Sequence, residues 1–297
     1  MKLLLLGGSG FVGINLHSKL NLISEYEVFS TYHSSKPKLI KDSNLYKLDI
    51  SNKNSLKDVI HITKPDVIVY MISTRYYPPP KDISDHRNIN CLGLENFIEI
   101  IKDSLINSRI IFINSGAASL RNDSKDNLNY QQSKVEASRI FNENKERLNF
   151  NGTELRLFTP YGQYDYKFRL IQSIALKMIR NEEIEIKSPN SKRDFIHIDD
   201  VVDAIIKSIF SNKVEANFLE IGSGNATSIE FIVNKLAKIL EYKIDIKYHY
   251  DNDEEISYMR ADINNSIKQL DWSPKIELNK GIDQTVNWII KNKNYYD

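Results

Sequence analysis

The stretch "KLLLLGGSGFVG", Lys2 to Gly13, is a short apolar run followed by glycines in a G-x-x-G-x-x-G pattern. Such a run is typical of a strand buried on both faces. The first glycine of the pattern then permits a tight turn, the second lets backbone approach a pyrophosphate, and the third allows close helix–strand packing. A plain glycine turn is the competing interpretation, but strand, spacing and following helix together favour a dinucleotide-binding loop. Its predicted cofactor contacts are Gly7, Gly10, Phe11, Val12 and Gly13.

The rest of the chain continues the alternation of strand and helix. Apolar runs such as "EVFSTY", "DVIVYMIS", "RIIFINS", "TELRLF" and "NFLEIGSG" are separated early on by helical periodicity. This order predicts an α/β fold with a Rossmann-type doubly wound parallel sheet. The rhythm changes after Pro160, which predicts a smaller mixed α/β substrate lobe. We expect residues 1–160 to form the dinucleotide-binding domain, with 193–228 returning to it, and 161–192 and 229–297 to form the lobe.

Composition excludes several classes of protein. The 297 residues carry 40 basic and 39 acidic side chains, so bulk charge gives no reason to bind nucleic acid or an acidic membrane. The single cysteine, Cys91, permits no intramolecular disulfide and no cysteine-based zinc site, and no metal site is expected. The four leucines near the start are too few for a signal peptide, and no apolar span of 18 residues occurs. A cytoplasmic, soluble protein is therefore expected.

The segment after the second predicted strand bears on the choice of cofactor. An acid there would bind the ribose 2′-OH of NAD, but "STYHSSKPK" contains none. NADP(H) is therefore preferred and NAD(H) stays possible; a solvated loop with incidental lysines is the alternative interpretation. The candidate 2′-phosphate ligands are Thr31, His33, Ser34, Ser35 and Lys36. Asp49 after the third strand is expected to meet the adenine, and Ile50, Ser73, Tyr130 and Lys134 complete the predicted cofactor contacts.

A tyrosine–lysine pair in "NYQQSK" supplies candidate chemistry. Two other tyrosines, Tyr32 and Tyr77, also precede a lysine by four positions, so spacing alone does not select Tyr130. Only Tyr130 begins a helical run, in which Lys134 lies on the same face. A nearby ammonium is expected to lower the pKa of the phenol and suit it to proton transfer. Ser115 ends the preceding strand, where open α/β sheets hold ligands.

The sequence resembles the extended short-chain dehydrogenase/reductase family, in its branch that modifies nucleotide sugars. The likeness covers nearly the whole chain and is greatest to bacterial 4-ketoreductases of deoxysugar synthesis. The motifs that carry it are "GGSGFVG", "PDVIVYMIS", "NINCLG", "INSGAAS", "YQQSK", "LRLFTPYG", "RDFIHIDDVVDAI", "LEIGSG" and "ADINNSIKQLDWSPKIELNKGI". The resemblance implies a catalytic triad of Ser115, Tyr130 and Lys134, and a homodimer. Substrate contacts are expected at Thr159, Lys167, Arg169, Arg193 and Arg260, with a solvated helix start as the alternative for Lys167 and Arg169.

Departures from the family pattern narrow the reaction. Family dehydratases place Asp and Glu after the strand-end hydroxyl, where this chain has Gly116 and Ala117. Family epimerase-reductases use a nearby cysteine, whereas Cys91 lies in the "NINCLG" motif. The expected function is NADPH-dependent reduction of a nucleotide-diphosphate 4-keto-(6-deoxy)sugar. The alternatives are a nucleotide-sugar 4-epimerase with tightly bound NAD and a redox-inactive dinucleotide-binding protein.

Overall fold

The computed structural model describes residues 1–103, 107–119, 128–211, 214–250 and 258–296. Its strands are β1 Lys2–Leu6, β2 Glu27–Tyr32, β3 Leu45–Lys47, β4 Val67–Tyr70, β5 Arg109–Ser115, β6 Gly152–Leu157, β7 Thr159–Tyr161, β8 Glu185–Lys187, β9 Lys192–His197, β10 Phe218–Ile221, β11 Ala226–Ser228 and β12 Lys247–His249. Its α-helices are α1 Phe11–Leu20, α2 Lys53–Thr63, α3 Asp85–Arg87, α4 Gly93–Asp103, α5 Leu128–Leu148, α6 Leu170–Ile179, α7 Ile198–Phe210, α8 Ile229–Ile239, α9 Asn264–Leu270 and α10 Leu278–Lys291. A π-helix, Asn88–Leu92, precedes α4, and short 3₁₀ turns lie at Asp42–Asn44, Gly116–Ser119 and Lys293–Tyr295.

The central sheet has seven strands in the order β10-β6-β5-β4-β1-β2-β3, and its strand pairs are parallel. Alternate side chains of β1 point to opposite faces, as the two-residue period of a strand requires. Leu3 and Leu5 join a core with α1 and α7, whereas Leu4 and Leu6 join a core with α2, α4 and α5. Both faces are therefore covered by helices, and the predicted doubly wound fold is confirmed.

A smaller lobe is built from the later part of the chain. Its core joins apolar side chains of α6, α8 and α10, including Ile174, Val233 and Val286. Two small sheets, β11-β9-β7 and β12-β8, accompany these helices. Between the lobe's two segments the chain returns to the main sheet, where α7 packs on one face and β10 pairs with β6. No helix in the described ranges is long and apolar enough to cross a bilayer.

Two helix starts bear on the site. The apolar residues from Ile89 to Ile101 recur with a helical period, but the segment is α-helical only from Gly93, because Asn88–Leu92 wind as a π-helix. The described part of helix α5 begins at Leu128, two residues before Tyr130, where the sequence predicts the helical run to begin. The π-helix matters for the site, because it directs Asn90 towards β4 and α5: the Asn90 amide donates to Thr74 Oγ1 at 2.9 Å and to Ser133 Oγ at 2.8 Å.

Candidate active site

The glycine loop lies between β1 and α1 and is held by the end of β2. Gly7 has φ +84°, a left-handed conformation that glycine adopts without strain, and its N–H donates to Thr31 Oγ1 at 2.9 Å. A Cβ on Gly13 would lie 2.6 Å from the Cα of Gly8, so the helix approaches the loop backbone as closely as glycine allows. This cradle fits the diphosphate of a dinucleotide at the start of α1.

A cavity of about 790 Å³ opens from this loop towards the small lobe. The predicted site residues that line it are Gly7, Gly10, Phe11, Val12, Gly13, Ser73, Ser115, Tyr130, Thr159, Arg169 and Arg193. They come from the carboxyl ends of β1, β4 and β5, from the start of α5 and from the lobe. The cavity thus joins the candidate cofactor loop to the candidate substrate residues.

Two of the three candidate catalytic side chains, Ser115 and Tyr130, line this cavity, and the third, Lys134, lies buried beside Tyr130. Hydrogen bonding from the neighbouring Ser115 side chain acts to lower the pKa of the Tyr130 phenol. The Lys134 ammonium lies 5.4 Å from the centre of the Tyr130 ring and donates to the Ser73 hydroxyl. Tyr130 also packs edge-on against His86, with ring centres 5.5 Å apart. The arrangement places a phenol, a hydroxyl and an ammonium beside one another at the edge where parallel sheets bind ligands.

The charge states of the pair differ in part from expectation. Burial raises the pKa of Tyr130 above its ordinary value, although the bond to Ser115 and the guanidinium of Arg169 act in the opposite direction. The sequence predicts that Lys134 lowers the Tyr130 pKa. That prediction is wrong for this structure, because the loss of hydration is the largest cause and raises this pKa. Burial also lowers the pKa of Lys134 to about 8, against the charges of Cys91 and Glu154. At neutral pH, Tyr130 is a neutral phenol that is able to donate a proton.

The segment after β2 holds the candidate residues for cofactor choice. His33, Ser34 and Ser35 are exposed, and Lys36 forms an ion pair with Asp42 at 2.8 Å. Thr31, in contrast, is buried, and its hydroxyl supports the glycine loop through the bond to Gly7 described above.

At the end of β3, Asp49 accepts two hydrogen bonds from Ser51, from its hydroxyl at 2.7 Å and its N–H at 2.9 Å, and both lower the Asp49 pKa. Ile50, predicted as a cofactor contact, packs in the core beneath α4, where a Cβ on Gly93 would lie 3.0 Å from it.

The candidate substrate residues divide into two groups. Arg169 and Arg193 line the cavity, and Arg169 is held by the carbonyl of Pro160 at 3.3 Å. Lys167 instead donates to the carbonyl of Tyr296 at 3.1 Å. Neither Lys167 nor the exposed Arg260 is among the described residues that line the cavity. The structure therefore brings two of the four predicted cations to the site.

A stack of side chains that the sequence interpretation missed covers part of the glycine loop. The rings of Tyr166 and Phe168 are stacked with centres 5.2 Å apart, and the Arg75 guanidinium lies 5.4 Å and 4.9 Å from those centres. The hydroxyl of Tyr166 lies against the loop, because a Cβ on Gly10 would be 3.6 Å from it. Position was the available signal for Arg75, since it follows β4 at the ligand-binding edge of the sheet.

Comparison with known proteins defines the class. The model of the NAD dependent epimerase/dehydratase family matches residues 3–222, which include the glycine loop, Ser115, Tyr130 and Lys134. The chain belongs to this family, and the resemblance inferred from the motifs is confirmed. It is a family of enzymes that act on nucleotide sugars or use NAD, and solved structures of such enzymes share the fold described above.

Particular relatives share part or most of the length. GDP-6-deoxy-D-talose 4-dehydrogenase of Aggregatibacter actinomycetemcomitans is 27% identical over 258 residues, 83% of each chain. CDP-abequose synthase of Salmonella muenchen is 28% identical over 155 residues, so the chain aligns with about half, 52%, of that relative. The crystal structure of UDP-glucose 4-epimerase from Thermotoga maritima with UDP-glucose superimposes with a TM-score of 0.86 at 20% identity, covering 99% of this chain and 100% of that one. At that identity the superposition shows the fold.

Proposed function

We propose that this enzyme is a reductase that uses NADPH, or NADH, to reduce the 4-keto group of a nucleotide-diphosphate deoxysugar. The observation that carries the proposal is a cavity lined by Ser115 and Tyr130, with Lys134 buried beside the Tyr130 ring, between a dinucleotide cradle and the two arginines Arg169 and Arg193. The relatives named as a 4-dehydrogenase and as an abequose synthase support a sugar substrate of this class.

Each side chain has a defined task in this reaction. The neutral phenol of Tyr130 donates its proton to the oxygen that becomes the alcohol, while the hydroxyl of Ser115 holds that oxygen. Lys134 keeps a positive charge beside the phenol and stabilises the phenolate left after the transfer. A bound nicotinamide supplies the hydride. Arg169 and Arg193 offer paired N–H donors that suit the substrate diphosphate.

The residues after Ser115 favour reduction over dehydration. Dehydration of the sugar needs an acid and a base there, and Gly116 and Ala117 provide neither. A side chain at position 116 is also sterically opposed, because a Cβ on Gly116 would lie 3.0 Å from the ring of Phe158. The tight packing of this turn therefore disfavours the larger side chain that a dehydratase places after the hydroxyl.

The preference for NADPH rests on the segment after β2, which contains no carboxylate in "STYHSSKPK". The nearby carboxylate that the structure places against this loop, Asp42, is engaged by Lys36. We expect Kd measured by quenching of protein fluorescence to be lower for NADPH than for NADH. A lower Kd for NADH would reverse this part of the proposal without affecting the reaction.

A 4-epimerase is the second candidate, favoured because the matched family model describes epimerases and the same three residues serve both directions of hydride transfer. An epimerase would be purified with bound NAD and would interconvert two nucleotide sugars without consuming added cofactor. A reductase would consume one NADPH for each sugar reduced. The redox-inactive alternative predicts neither result.

The decisive test is Tyr130→Phe, which removes the proton donor and leaves the ring. With GDP- and dTDP-linked 4-keto-6-deoxysugars as probes, we expect kcat to fall at least a hundredfold while Kd for NADPH stays within about threefold. Tyr46→Phe is the matched control, since Tyr46, on β3, packs against Phe29 of β2, away from the cavity. A near-normal rate for Tyr130→Phe would refute the assigned role.

We also propose that the chain associates as a homodimer. Leu92, at the end of the π-helix, and Val135, on α5, are 38% and 42% exposed. Apolar side chains on adjacent helices suit a homodimer that uses this surface. Light scattering on the purified chain gives the mass directly, and a monomeric mass would remove the homodimer from the proposal.

A further inference from the structure

A buried ion pair lies beneath the candidate triad, on strand β6. Arg156 Nε lies 2.9 Å from Glu154 Oε1, and the two side chains are 9% and 0% exposed. They are two residues apart on one strand and so lie on the same face of the sheet. A buried ion pair is costly unless its remaining donors and acceptors are satisfied, so the contacts around this one indicate what it holds in place.

Each carboxylate oxygen of Glu154 accepts two hydrogen bonds. Oε1 accepts from Asn114 Nδ2 at 2.9 Å as well as from Arg156 Nε. Oε2 accepts from Ser138 Oγ and from Asn142 Nδ2, each at 2.7 Å. A glutamine at this position would turn an NH₂ group towards two donors, so the network requires the carboxylate.

The network reaches the triad through its members. Asn114 Nδ2 also donates to the carbonyl of Lys134 at 3.1 Å, and Asn114 Oδ1 accepts from the N–H of Ser115 at 2.9 Å. Arg156 Nη1 donates to Ser119 Oγ at 3.0 Å, at the end of the turn that follows the strand-end serine. The ion pair is thus joined, through a single asparagine, to the backbone of both Ser115 and Lys134, and through Arg156 to the turn that follows Ser115.

We propose that Glu154 and Arg156 are positioning residues for the triad: the pair fixes Ser115 and Lys134 relative to each other through Asn114, and fixes the turn after Ser115 through Arg156. The inference rests on the proposed function, because it assigns these residues to the reductase reaction. Loss of the pair displaces catalytic groups while the cofactor loop on β1 and α1 keeps its contacts.

The carboxylate also acts on Lys134 by its charge. The charged and titratable groups that face this ammonium are Tyr130 on its own helix, His86 from α3, Cys91 from the π-helix and Glu154 from β6. Burial lowers the pKa of Lys134, and Glu154 is one of the two groups that oppose this. Removing that charge therefore lowers the Lys134 pKa further, an effect that a purely structural residue would not have.

The experiment compares Glu154→Gln with Asp200→Asn. Asp200 is also a buried carboxylate, and it accepts from the N–H groups of Lys275 at 3.0 Å and Ile276 at 2.9 Å, with no bond to the triad. Three quantities are measured in the full chain: kcat with the 4-keto-sugar probes, Kd for NADPH, and the titration of the Lys134 ε-carbon by NMR after labelling with [6-¹³C]lysine. The Lys134 signal is assigned by its absence in Lys134→Met.

We expect Glu154→Gln to lower kcat about tenfold or more, to leave Kd for NADPH within about threefold, and to shift the Lys134 titration to lower pH. Asp200→Asn should leave the Lys134 titration unchanged. Arg156→Lys keeps the charge and loses the forked contacts, so it should lower kcat without moving the titration. If Glu154→Gln is poorly folded, Arg156→Lys and the Lys134 titration still test the positioning role.

Outcomes separate the two proposals. If the wild-type chain turns over no 4-keto sugar but the Lys134 titration shifts in Glu154→Gln, the proposed reaction is wrong and the positioning of Lys134 stands. If the wild type is active and both β6 variants keep its kcat and its Lys134 titration, the positioning role is overturned. Equal effects of Glu154→Gln and Asp200→Asn on all three quantities would likewise overturn it, since they indicate general destabilisation.

Discussion

His17 makes the stability of this protein depend on pH. It lies buried on α1, beneath the glycine loop, with Nδ1 2.8 Å from Ser30 Oγ. Burial lowers its pKa from 6.5 to about 4. The unfolded chain therefore binds this proton first as the pH falls, so the neutral ring's contribution is complete above pH 6.5 and is lost progressively towards pH 4.

The magnitude follows from the two pKa values. The complete loss, reached below pH 4, is ~3 kcal/mol, and about 2 kcal/mol of it has already gone at pH 5. His17→Gln removes the titrating group and keeps a neutral polar side chain. We therefore expect the gap in unfolding free energy between wild type and variant to shrink by about 2 kcal/mol between pH 7.5 and pH 5.

Urea unfolding followed by the fluorescence of the buried Trp272 measures this gap at each pH. His86 and His197, whose pKa values burial also lowers, are present in both proteins and so cancel in the difference. Parallel curves for wild type and His17→Gln, within about 0.5 kcal/mol from pH 7.5 to pH 5, would refute the reasoning. That result would mean that His17 is hydrated or protonated in the folded protein.

Two further outcomes test the site. Gly13→Ala should weaken NADPH binding at least tenfold, because its Cβ would lie 2.6 Å from the Cα of Gly8 and must displace the loop backbone. An unchanged Kd for NADPH, measured by fluorescence quenching, would contradict this expectation. For catalysis, kcat/KM should fall as the pH rises through about 8, where Lys134 loses its proton, and a profile flat to pH 9.5 would show that the ammonium is not required.

The fold followed from local patterns because its elements are long and regular. The apolar strands β1, β4, β5 and β6 and the glycine pattern after β1 are strong signals, since burial on both faces leaves few alternatives. The π-helix at Asn88–Leu92 was not predictable in this way, because its apolar residues also fit an α-helical period. Strands of three residues, such as β7 and β8, are too short to show any period.

Site residues whose positions a sequence motif specifies were predictable. Site residues that tertiary contacts bring into place were missed. Spacing and strand ends placed Ser115 and Tyr130 on one cavity and Lys134 beside the Tyr130 ring. The sign of the pKa shift at Tyr130 needed the buried surroundings, which no linear pattern contains. The role of Glu154 was not predicted from the sequence, because its partners come from β5 and α5, far away in sequence.

The path of the chain between the main sheet and the small lobe limits how the lobe can be exchanged with that of a related enzyme. The small lobe is not a continuous segment: α7 and β10 interrupt it, and β10 completes the edge of the main sheet beside β6. A cut after β6 would leave the N–H and C=O groups of that strand unpaired along a new edge. Exchange of the lobe between family members therefore requires two grafts, one on each side of α7 and β10, made in the same chain.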